Sequence, residues 1–266
     1  MPAPCINRLI FTPTFGVTDQ DGFDADAQAY ITAVEAADGE ALEAGVKSAI
    51  NDFVVGCKSD GIWTSIKSSC ILAGARTLTG ALVPLKGAAP TSYNFVTGDY
   101  NRETGLLGNG TTKYLDSNRN NNADPQDSNH QAVWISTAPS SGAARIYIGA
   151  GVVDSGTTHI VLGSTNLFST RSRNAARSSE ISAAVVGFAG HSRATSSLYT
   201  TRANATNYST SLTSQVPYAG NVFVFATNPA SLASSARQAF YSIGESLDLA
   251  LLDARVSTLI TDIGAI

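Results

Sequence analysis

The run Asn221-Val222-Phe223-Val224-Phe225-Ala226 carries no charge and is closed by Ala219-Gly220 before it and Asn228-Pro229 after it. Five apolar residues in a six-residue run between turn formers make a strand, being too few for an ordinary helix. Alternation sets Val222, Val224 and Ala226 on one face and Phe223 and Phe225 on the other, so both faces are expected to be covered. The same texture extends outward from this run. Between Ile71 and Gly244, Gly, Pro, Ser, Thr and Asn punctuate short apolar or alternating stretches, which predicts strands over 93–96, 113–115, 131–136, 145–148, 159–162, 167–169, 181–188, 197–201 and 239–243. Turn signals every ~8–12 residues point to an antiparallel sandwich or barrel. No strand–helix–strand rhythm is present, which argues against a parallel doubly wound sheet or a (β/α)8 barrel.

The flanks read differently. Residues 1–23 mix prolines and aromatics without a period and are expected to form an extended arm, because Ile10, Phe11 and Phe15 are costly to leave in water. Asp24 is placed to cap a helix carrying Ala27, Tyr30, Ile31 and Val34 and stopped at Asp38-Gly39. A second helix shows the stripe Leu42, Val46, Ala49, Ile50, Phe53 and Cys57, and a third is expected from Ile62-Trp63 through Ile66 to Cys70. A final helix is expected from Ser246 as cap, with Leu252, Val256, Leu259, Ile260 and Ile263 as its stripe. The chain thus divides into an arm (1–23), a helical attachment segment (24–70), a β-sandwich (71–245) and a C-terminal helix (246–266).

Charged residues make up 14% of the 266 and hydrophobic ones 43%. The charge deficit against the ~25% of ordinary domains is filled by Ser, Thr, Asn and Gly. Net charge is −4, with 17 basic residues against 21 acidic, so the footprint of a nucleic-acid binder is lacking. Three cysteines, Cys5, Cys57 and Cys70, form neither a disulfide framework nor a zinc motif and read as buried thiols. Residues 1–15 show no secretory signal pattern, and the longest apolar stretch, 181–189, is too short to span a bilayer, so membrane insertion and export are not expected.

Chemistry is sparsely marked. No G-x-S-x-G elbow occurs, and His130, His159 and His191 sit beside predicted strands as ordinary sheet or loop residues. A retaining glycosidase needs paired carboxylates ~5–5.5 Å apart, for which an acidic pair two apart on a strand would be the sign. Past Glu103 the β region has only Glu180 and Glu245, neither so partnered, and Asp99 and Glu103 lie in a turn-rich segment. The run Asn118–Asp127 is rich in hard oxygen donors, which makes Asn122, Asp124 and Asp127 candidates for calcium, although it lacks the glycine and closing glutamate of an EF-hand loop. Its bland reading, an Asx-rich structural loop, is preferred. The glycines of 105–110 run into a strand without a Lys-Ser/Thr and do not make a phosphate loop. Arg171, Arg173 and Arg177 read as a solvated turn. Trp63 and Trp134 are expected in the core, and Tyr199, Tyr208 and Tyr218, in polar surroundings, are the candidates for stacking on a glycan.

Three stretches carry a resemblance: INDFVVGCKSDGIW (50–63), DYNRETGLLGNGTTKYL with SNRNNNADPQD (99–115 and 117–127), and FYSIGESL (240–247). Over residues 45–260 the chain resembles a family of tailed-phage and prophage virion proteins. GLLGNGTTKYL and FYSIGESL are also similar to the first and last strands of concanavalin-A-like, laminin-G-like jelly rolls. The resemblance implies a mainly β, antiparallel two-sheet jelly roll on a phage particle assembled in the host cytoplasm. The role it implies is non-enzymatic, as a head decoration or cement protein or a tail or fibre component. Other virion proteins would meet the arm and helices, and self-association as a homotrimer or other cyclic form would follow from the repetition of such parts. The alternatives from other classes are a carbohydrate-binding adhesion module touching host surface glycans and a polysaccharide hydrolase. No cofactor is called for beyond the calcium candidate.

Overall fold

The computed structural model describes residues 22–140, 143–152, 155–181 and 186–264. Residues 1–21, most of the expected arm, lie outside the described residues, as does Cys5 within them. One sheet has eight strands. Six of them, β12 (Thr206–Thr210), β11 (Tyr199–Ala203), β10 (Gly187–Arg193), β6 (Asn129–Thr137), β14 (Arg237–Gly244) and β4 (Gly105–Leu107), run in that spatial order to β3 (Tyr100–Asn101). The eighth, β1 (Ile66–Ile71), also pairs with β14. The second sheet has the order β2 (Thr91–Tyr93), β5 (Tyr114–Asn120), β13 (Asn221–Val224), β7 (Arg145–Ala150), β8 (Thr158–Leu162) and β9 (Phe168–Ser172). The named strands pair antiparallel throughout, so the two-sheet jelly-roll sandwich expected from the sequence is the fold.

The centre of the eight-stranded sheet, β10, β6 and β14, is buried on both faces. Toward the second sheet it presents Val133, Ile135, Ala189, Tyr241 and Ile243, which meet Ile148, Ile160, Phe168 and Val224. Toward the other side it presents Ala132, Phe188 and Phe240, and there the helices α1 (Ala25–Asp38), α2 (Ala44–Ser59) and α4 (Leu249–Gly264) lay their apolar stripes. Phe53 of α2 meets Phe240 edge to face, with ring centroids 5.7 Å apart. A fourth, one-turn helix, α3 (Leu78–Ala81), follows β1. Asp24 caps α1 as expected, accepting from the Asp26 amide, and Gly39 closes it in the left-handed conformation. None of the described helices is long and apolar enough to cross a membrane.

Several expectations are corrected. Residues 62–70 are not a helix: a 3-10 turn at Trp63–Ser65 leads into β1, whose side chains are buried on both faces because β14 pairs with it. A run apolar at 62, 63, 66 and 70 fits a two-sided strand as well as a helix. The helical segment 24–70 is therefore part helix and part sandwich, and its stripes are spent within the molecule. The final helix is capped by Asp248, whose carboxylate accepts from the Ala250 amide at 2.7 Å, while Ser246 bonds instead to Ser128. Of the strand predicted over 181–188, Ile181 makes one bridge to Phe168, β10 begins only at Gly187, and 182–185 lie outside the described residues. Phe225 leaves the alternation, its backbone turned to φ +70°, and joins Val222 and Val224 in the intersheet core. β3 and β12 had no sequence expectation, and β4 was covered only by the resemblance of GLLGNGTTKYL to a jelly-roll strand. Glycine is required at Gly105, which opens β4: its φ is +96°, and a Cβ there would stand 2.2 Å from the Gln238 carbonyl oxygen of β14.

At one end the intersheet layer turns polar. Arg173 and Arg193 are 2% and 0% exposed, so the solvated turn expected around Arg173 is overturned. Arg173 donates to the carbonyls of Asn121, Asp124 and Pro125, and burial pulls it down to about 10. Arg193 donates to the carbonyls of Ser172, Thr195, Ser196 and Leu212 and lies over the Tyr199 ring. Oriented carbonyls replace water around both guanidiniums. His130, His159 and His191 are also buried, and burial holds their pKa values down, to about 4 for His130 and well below the ordinary value for the other two.

Replacing Phe240 by Ala removes the ring that α2 packs on and should cost ~3–5 kcal/mol in denaturant unfolding; a loss below ~1 kcal/mol would contradict the packing described. The histidines set a pH dependence. Unfolded, each takes up a proton near pH ~6.5, whereas the folded side chains stay neutral to lower pH. The unfolded state then binds more protons, so stability is full above that range and falls as pH drops, by up to ~1.4 kcal/mol per pH unit for each histidine. Unfolding midpoints followed from about pH 7.5 to about pH 5 should decline, and His191→Gln should make the decline shallower.

Candidate functional site

The hairpin from β11 to β12 turns through Asn204 and Ala205, both at positive φ, 50° and 57°, as a tight two-residue connection requires. It delivers Thr206–Thr210 to the margin of the eight-stranded sheet, where β12 pairs with β11 and has no other strand neighbour among the described residues. Across from it, residues 178–181 fold along β9: the Ser178 amide donates to the Thr170 carbonyl, and Phe168 and Ile181 exchange backbone hydrogen bonds. Between the two lies an open groove of about 530 Å3, lined by Ser178 to Ile181 and Asn207 to Thr210.

Tyr208 packs, half-buried, against the intersheet core, so its ring is anchored while one edge faces the groove. Asn207 and Ser209 are exposed beside it. Asn207 is held from behind: Arg202 donates to its Oδ1 at 3.0 Å, and Arg202 is itself fixed by Asp253 of α4 at 2.7 Å. Asn207 pairs with Arg202 and Tyr208 with Thr201, so the carboxamide is turned to the α4 side of the sheet and the tyrosine ring to the intersheet side. Glu180, exposed, is the one carboxylate of the lining. The arrangement offers hydroxyls, one acid and a fixed aromatic ring, a set suited to a hydrogen-bonding ligand with an apolar face.

Of the three tyrosines singled out in the sequence, only Tyr208 lies here. Tyr199 is fully buried, donating to the Thr170 carbonyl at 2.9 Å, and is corrected from glycan candidate to core residue. Its alternation with Thr201 and Ala203 was the sign, since all three face the second sheet. Tyr218 sits away from the groove, against Gly151 and Gly220. Glu180, Asn207 and Ser178 were not anticipated, because the groove exists only where two sheet margins 26 or more residues apart in sequence face each other.

The calcium candidates are not gathered. Asp124 is paired with Arg119, Asp127 accepts from Ser214, and Asn122 is exposed in a turn where its amide donates to Asn120 Oδ1 at 3.1 Å. Among the described residues no three His, Cys, Asp or Glu side chains converge as a metal site. Asp99 is engaged by Lys113 and by the Val96 amide, which hold its carboxyl below the usual range against the opposing effect of burial. Glu103 lies at a separate void of about 50 Å3 beside Arg102. Trp63 is core, with Nε1 donating to Asp26 at 3.1 Å, and Trp134 packs on the helix side.

One pair imitates a nucleophile and its base: His130 Nε2 lies 2.7 Å from Ser242 Oγ, and Nδ1 lies 2.6 Å from the Glu245 carbonyl. A carbonyl only accepts, so the proton sits on Nδ1 and Nε2 accepts from the serine. Both side chains are 0% exposed. A substrate cannot reach the hydroxyl, and the pair serves to tie β6 to β14. Cys57 and Cys70 are buried free thiols, and burial pushes both up to about 12, away from thiolate chemistry.

No family model matches the sequence, and no curated protein matches it. Among solved structures the chain is similar to a Trypanosoma rangeli sialidase in complex with sialic acid, at 8% identity and a TM-score of 0.47, covering 76% of this chain and 34% of the sialidase. It is similar to the HCR/D F1240A mutant at 11% identity and a TM-score of 0.46, covering 73% of this chain and 50% of that one. It is also similar to a botulinum neurotoxin serotype C1 binding domain at 12% identity and a TM-score of 0.43, covering 73% and 51%. The chain spans about a third of the length of the sialidase and about half that of the other two.

Proposed function

We propose that this chain is a non-enzymatic carbohydrate-binding adhesion module that takes a neutral glycan in the groove between β12 and residues 178–181. The observation that carries the reading is the lining itself: an anchored tyrosine ring with serine and threonine residues around it on a strand margin. A sugar ring offers a C–H face to the tyrosine and hydroxyls to the polar rim. The rigid strand limits the ordering cost of binding. A single carboxylate in the lining supports binding over hydrolysis, since glycoside cleavage by the usual route needs two.

The resemblance of residues 45–260 to virion proteins favours a phage particle as the place where such a module works, as a decoration or fibre component in several copies. The helices α1, α2 and α4 spend their apolar stripes on the sheet. On this reading, attachment to other virion proteins falls to surfaces other than those stripes.

Screening the protein on a glycan array should find binding that Tyr208→Ala weakens by ~10-fold or more, about 1.4 kcal/mol, in a variant that remains folded. Binding untouched by that substitution sinks the assignment of the groove. Release of reducing sugar that Glu180→Gln abolishes would replace the binding reading with a hydrolytic one. Immunogold imaging of intact virions should show the protein on the particle, and purified virions that contain none of it would refute that placement.

A further inference from the structure

At the polar end of the sandwich is a small void of about 10 Å3, about the room of one water molecule. Gln131 of β6, Thr158 of β8 and Arg173, just past β9, are among its walls. They are 2%, 1% and 2% exposed. Each has one buried polar atom without a hydrogen-bond partner among the described residues: Gln131 Oε1, Thr158 Oγ1 and Arg173 Nε. The three are chemically complementary. The guanidinium Nε–H only donates, the amide oxygen only accepts, and the hydroxyl does either. Buried polar groups are almost always satisfied, and three such groups on the walls of one small void suit a single bridging molecule.

We propose that this void is a binding site for a single internal water, which accepts from Arg173 Nε, donates to Gln131 Oε1 and completes its shell with Thr158 Oγ1. A cation would face the Arg173 guanidinium, and an anion would face the Gln131 oxygen and the Asp124 carboxylate, which also borders the void. A neutral molecule with both donors and acceptors meets neither repulsion. Gln131 belongs to the eight-stranded sheet and Thr158 to the six-stranded one, so the water joins the sheets by hydrogen bonds at the end where apolar packing gives out. It also completes the coordination of Arg173, whose other nitrogens gather the carbonyls of the Asn121 to Pro125 loop.

Oxygen-17 relaxation dispersion counts waters that reside for long times inside a protein in solution. Thr158→Val keeps the side-chain shape and deletes the hydroxyl, so it should lower that count by one, while Thr158→Ser should leave it at the wild-type value. An equal count in wild type and Thr158→Val overturns the proposal. Should the valine variant not fold, a high-resolution crystal structure of the wild type soaked in bromide decides the matter. A single water peak within hydrogen-bond reach of the three atoms supports the site, and an empty void or an anomalous bromide peak overturns it.

Discussion

The fold depends on a sheet that is covered on both faces. Along β14, Phe240 and Ser242 point toward the helices while Tyr241 and Ile243 point toward the second sheet, and every residue from Gln238 to Gly244 is buried. A strand so placed cannot give up either neighbour without exposing several large side chains, each worth ~1.5–3 kcal/mol of burial. The helices and the sandwich therefore form one cooperative body. Ion pairs at the margins, Arg255 with Asp60 and Arg102 with Glu43, fasten α4 to α2 and the start of α2 to the loop after β3.

Where that double coverage ends, the chemistry changes in two ways. Inside, the apolar layer gives way to Arg173 and Arg193, which are held by backbone carbonyls rather than by apolar packing. Outside, β12 runs beyond the sheet's protected centre, and its margin faces the 178–181 segment across open space. The adhesive reading follows from this geometry, because the groove is the place where a rigid strand presents an aromatic ring and polar groups to solvent together. Arg193 links the two regions, since the carbonyls it gathers include those of the loop between β10 and β11.

The sequence by itself determined the strands with a run of alternating or apolar residues, the stripes of α1, α2 and α4, and the two-sheet class, because each is a periodicity read within a few neighbouring residues. The tertiary structure decided the rest. Residues 66–70 became part of a strand rather than a helix because β14 pairs with them. Arg173 went inside only because the Asn121 carbonyl, 52 residues away, meets its guanidinium. Tyr208 faces a groove whereas Tyr199, on the adjoining strand, is buried, a distinction made by which strand lies at the margin. Pairing partners and buried charge are settled between segments distant in the chain, and local pattern carries no record of them.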